Sequence, residues 1–180
     1  MRNKRSPICA GILGIGIVTV TSASAQDQVE QIIRSRIANH NEIGAAYKHI
    51  GDELKLGRPD LRRIQDSAQL IKNRGADMLH WFPPGSEPPP EASKSWLDTI
   101  LGWFSSKVNP AILDDADSHA KLAVWTQRPK FEELHGQFQT EADRMSQIAQ
   151  GGQTVAISAQ FKELGEKCKN CHDIYREKVD

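Results

Sequence analysis

What this chain lacks narrows it first. Beyond Val20 it has no apolar run near the roughly 20 residues needed to cross a bilayer. No segment alternates apolar and polar residues as a half-buried strand does, and aromatic residues are few. The formal charge is +0, so there is no basic surface for nucleic acid and no polybasic membrane patch. No nucleophile–base pair or carboxylate dyad stands out, which argues against an enzyme. Cysteine is scarce, with only Cys9, Cys168 and Cys171.

The first 25 residues read as an export signal. Arg2, Lys4 and Arg5 form a positive start, Ile8 to Val20 an apolar region, and Ala23-Ser24-Ala25 a small-residue cleavage site. The expectation is a cleaved signal peptide over 1–25 and a mature periplasmic chain over 26–180. Cys9 then leaves with the signal. The remainder carries a slight acidic excess, which would suit a basic redox partner protein.

The rest of the pattern is helical, with apolar residues recurring at spacings of three and four. Helix one is expected over Asp27 to Leu54, with Val29, Ile33, Arg36, His40, Ile43, Tyr47, Ile50 and Leu54 along its seam. Helix two is expected over Pro59 to Phe82, with Pro59 in its first turn and Met78 on its seam. Helix three is expected over Pro129 to Gln150, and helix four over Thr154 to Lys178. The short turns at Leu56-Gly57-Arg58 and Gly151-Gly152 favour antiparallel neighbours. The fold class is therefore all-α: an antiparallel four-helix bundle. A long crossover, Ser86 to His119, joins helices two and three. It carries an apolar patch from Trp96 to Phe104, read as a short helix packed on the bundle, and the acidic run Asp114-Asp115-Ala116-Asp117.

Cys168-Lys169-Asn170-Cys171-His172 is the strongest signal in the chain. A cysteine pair this close encloses too small a loop to stabilise much as a disulfide. A zinc site would want four ligands. His119 and His135 are available, but no further cysteine is. A thioredoxin-like redox pair would need a βαβ setting. The spacing instead fits one covalently attached haem c. Two thiols reach two vinyl groups of a porphyrin, and the next histidine lies beneath the iron. On a helix Cys168, Cys171 and His172 share a face.

An attachment motif on the last helix of a four-helix bundle resembles the cytochrome c-prime family, the class II c-type cytochromes. Further likenesses are Arg36-x-x-x-His40 with Ile43-Gly44, Phe82-Pro83-Pro84-Gly85-Ser86, Trp125 ahead of Phe131, and Tyr175-Arg176 after the motif. The long crossover departs from the compact family pattern. The resemblance implies that Arg36 pairs with a haem propionate. It implies that Arg176 sits beside the proximal face, and that helices one and two form homodimers.

The same resemblance makes His40 the distal residue, opposite His172. That position is held by methionine in six-coordinate members and by an apolar residue in gas-binding ones. A neutral imidazole on an apolar seam needs a partner, and iron would supply one. His40 is thus the expected second ligand, with Met78 as competitor and an open iron as the third option. His49 falls on the opposite helix face, and Gly44 leaves room for the porphyrin edge. The expected function is electron transfer by a periplasmic mono-haem cytochrome. The alternatives are a five-coordinate binder of nitric oxide or carbon monoxide, and a docking subunit using the Trp96–Phe104 patch.

Overall fold

The computed structural model describes residues 25–88 and 118–178. The helices are α1 (Ala25–Glu53), α2 (Leu61–Ala76), a short α3 (Ala123–Thr126), α4 (Arg128–Gln150) and α5 (Thr154–Tyr175). The four long ones are the four expected helices, and together they form a four-helix bundle. The expected signal peptide, the Trp96–Phe104 patch and the acidic run lie outside the described residues.

Both ends of helix two differ from expectation. Pro59 is not in the first turn of helix two. Asp60 caps α2 instead, its side chain accepting from the Arg62 and Arg63 backbone N–H groups. Nor does helix two reach Phe82. It stops at Ala76, and Met78–Trp81 tightens into a 3₁₀ turn. The cause is long-range: His135 on α4 donates Nε2–H to the Gly75 carbonyl at 2.8 Å, taking up an acceptor at the helix end. Arg128 then fixes the turn, donating to the Leu79 carbonyl at 3.1 Å and the Phe82 carbonyl at 3.2 Å.

Pro83 to Ser86 follows as a β-turn. Pro84 presets its second position, and Gly85 takes the positive φ of 88° that the third requires. The Pro83 carbonyl accepts from the Ser86 hydroxyl at 2.8 Å and from Trp125 Nε1 at 3.1 Å. The turn therefore pins α3 from across the bundle.

Backbones approach closely between α1 and α2, α2 and α4, and α4 and α5, but hardly at all between α1 and α5. The main core fills the tight side with Ile50, Ile64, Ala68, Ile71, Phe138, Met145, Ile157 and Leu164. A second, smaller core gathers Phe82, Val124, Phe131, Leu134 and Tyr175. Tyr47 and Phe161, stacked at 4.2 Å, bridge the loose side from α1 to α5. The remainder of that side is open.

Gly75 shows how close the tight side is: a Cβ there would lie 2.6 Å from the Phe138 ring. Alanine normally improves a helix over glycine by about 1 kcal/mol. Here overpacking of about 1–3 kcal/mol opposes that gain. Gly75→Ala should therefore lower the guanidinium unfolding midpoint, and a rise would show that Phe138 has room to move.

Candidate functional site

The gap between α1 and α5 is a cavity of about 650 Å³. That is the size range of cofactor pockets. From α5 come Cys168, Cys171 and His172; from α1 come Arg36, His40, Ile43 and Gly44. Met78, Phe82, Phe131 and Tyr175 close it at the second core. All six residues singled out from the sequence, Arg176 included, border this one cavity.

The α5 wall follows from helix geometry, since spacings of three and four put both cysteines and His172 on one face. Both thiols are free, with no disulfide between them. Burial pushes the Cys168 thiol up to about 11, with neighbouring Cys171 adding to the effect. Burial raises Cys171 as well. Protonated, buried thiols are poor metal thiolates and poor redox nucleophiles. Among the described residues no cluster of three or more acidic, cysteine or histidine side chains could hold a metal ion.

Arg176 departs from its expected helical position. α5 ends at Tyr175, and Arg176 is extended with φ −111° and ψ 134°. It pairs with Ala120 in an antiparallel bridge. The Lys121 N–H donates to the Tyr175 carbonyl at 2.9 Å, and the Glu177 N–H to the His119 carbonyl at 2.7 Å. This pairing carries Ser118 and His119 to the cavity rim, where both line it.

Across the cavity Arg36 is only 3% exposed, which is unusual for a cation. Its guanidinium lies 4.8 Å from the Phe82 ring centre and 5.3 Å from that of Trp125. One amino group donates to the Ser118 hydroxyl at 3.0 Å. Nε and the other amino group are buried without hydrogen-bond partners. Burial lowers its pKa to about 10, so it stays charged at neutral pH. A buried charge normally has a counter-ion, and among the described residues the cavity wall supplies Arg36 with no carboxylate. A porphyrin, whose edge carries carboxylates, fits this cavity and its buried cation.

His40 lies one turn from Arg36. Its Nδ1–H donates to the Arg36 carbonyl at 2.9 Å, which leaves the lone pair on Nε2. Edge-on rings hold it: Trp81 at 5.0 Å and Phe82 at 5.9 Å between centres. Burial lowers the pKa of His40, with the charges of His172, Arg36 and Arg176 adding to the effect. Burial and Arg176 also lower that of His172. Both imidazoles are thus kept neutral, the form that ligates metal. His49 is exposed on the far side, and Gly44 has open space where a Cβ would stand. Met78 borders the cavity from the 3₁₀ turn. Sequence reasoning missed His119 and His135 as cavity residues, having weighed them only as zinc ligands.

These features define a class: an all-helical protein holding one covalently attached c-type haem between its first and last helices. Residues 90–176 match the family model described as cytochrome c′. Over that segment, just under half of the chain, it is similar to cytochromes c′.

A cytochrome c′ from Rhodocyclus tenuis is 32% identical over 81 residues, which is 45% of this chain and 52% of that protein. The matched region thus spans about half the length of that relative. A cytochrome c′ from Allochromatium vinosum is 23% identical over 99% of this chain and 100% of its own length. The fold matches that of cytochrome c′ from Thermochromatium tepidum, with TM-score 0.65, 18% identity, and 83% and 97% of the two chains covered.

Changing Cys168 and Cys171 together to Ala should make the haem extractable by acid–acetone. The unmodified protein should keep its haem through the same treatment.

Proposed function

We propose that this chain is a periplasmic electron carrier whose single haem iron is ligated by His172 and His40. The observation that carries this reading is the tautomer of His40. Its Nδ1–H is spent on the Arg36 carbonyl, as ligating histidines commonly spend their second nitrogen. Nε2 is then the nitrogen left to ligate iron, and His40 and His172 both line the cavity.

The haem would supply a one-electron couple; the chain's residues supply ligands, orientation and exclusion of water. Cys168 and Cys171 would hold the porphyrin through thioethers. Arg36 would neutralise a propionate in a site where water cannot. Arg176 would stand on the His172 side. Two imidazole ligands would give a lower potential than a histidine–methionine pair, because methionine raises it. Export to the periplasm belongs to the same proposal and rests on the sequence of residues 1–25.

A second reading is gas binding at an open iron. It draws support from a structurally similar cytochrome c′ from Alcaligenes xylosoxidans with nitric oxide bound (TM-score 0.64, 20% identity, 84% and 97% coverage). A homodimer is a further element of the proposal. Another structurally similar cytochrome c′ is described as undergoing ligand-controlled dimer dissociation (TM-score 0.65, 19% identity, 87% and 99% coverage).

The spectrum of His40→Ala separates the readings. The unmodified protein should be low-spin and slow to bind carbon monoxide. The variant should be high-spin and bind it readily. An unmodified protein already high-spin and gas-reactive would overturn His40 ligation and favour the open iron.

A further inference from the structure

The cage around His40 has one wall inside the cavity and one outside it. Phe82 lines the cavity and also faces the Arg36 guanidinium. Trp81 does not line the cavity, yet its ring is the nearer to the imidazole, at 5.0 Å with an interplanar angle of 72°. Trp81 is half-buried and packs against both cores. Its backbone belongs to the 3₁₀ turn that Arg128 holds through the Leu79 and Phe82 carbonyls. The wall is therefore anchored, and it touches the site through His40.

We propose that Trp81 is a positioning residue that controls how readily His40 leaves the iron, so that gas binding in this protein proceeds by displacement of His40. This rests on the reading of His40 as second ligand. For the imidazole to leave, its Nδ1–H must part from the Arg36 carbonyl and its ring must slide off the indole edge. The haem iron would supply one position for which His40 Nε2 and carbon monoxide compete, so that the bond made would replace the bond broken. No electron and no proton is exchanged.

Displacement has a kinetic signature that simple capture lacks. The rate of carbon monoxide binding to the ferrous holoprotein should level off at high gas concentration, at a ceiling set by departure of His40. Trp81→Leu removes the ring edge while keeping an apolar side chain. Edge-to-face contacts of this kind are worth enough to raise that ceiling about threefold to tenfold. Trp81→Phe keeps a smaller edge, so its ceiling should fall between the two. Without gas, all three proteins should give the same low-spin spectrum.

Stopped-flow mixing with carbon monoxide reads the ceilings directly. Equal ceilings in a low-spin set of proteins would overturn the role of Trp81 while leaving His40 ligation standing. A rate that climbs linearly with gas in a high-spin unmodified protein would instead overturn the ligation. Should Trp81→Leu fail to load haem, Trp81→Phe decides alone: a raised ceiling supports the proposal and an unchanged one ends it.

Discussion

A cation buried with no carboxylate among the described residues of its cavity governs the haem end of this bundle. Arg36 gives up most of its hydration, and two aromatic faces recover part of that cost. Each face is itself secured. Trp125 is tied to the Pro83 carbonyl, and the backbone beside Phe82 is tied to Arg128. The Ser118 hydroxyl completes the set and brings the returning crossover to the same point. The carbonyl of Arg36 meanwhile fixes the ring of His40. One residue thus joins the expected propionate contact, the distal imidazole and the end of the crossover.

Much of this was legible in the sequence because it is local. The attachment motif names its own chemistry through spacing, and three-and-four periodicity placed Arg36 and His40 on one interior face. What could not be read depends on partners far along the chain. The end of α2 at Ala76 depends on His135, which is 60 residues away. The extended backbone at Arg176 depends on Ala120. Trp81 went unnoticed for the same reason. In a continuous helix two it lies off the seam, and only the switch to a 3₁₀ turn brings it against His40.

The bundle itself is compatible with either use of the iron. Helix packing, thiol placement and the buried cation are equally consistent with both proposals. Under these proposals the difference would lie in one side chain on α1 and in how firmly its surroundings hold it. Cytochromes c′ with nitric oxide bound share this fold, so the fold does not decide between carrier and sensor.

The Tyr47–Phe161 stack has a mechanical consequence. It spans α1 and α5 between a dry, closely packed half and a half kept apart around the cofactor space. The Tyr47 hydroxyl also donates to the Phe161 carbonyl at 3.2 Å, and a Cβ at Gly51 would lie 2.9 Å from that ring. The stack works as a bulkhead. Tyr47 lines the cavity and Phe161 packs on the main core, so the pair forms the partition between the two.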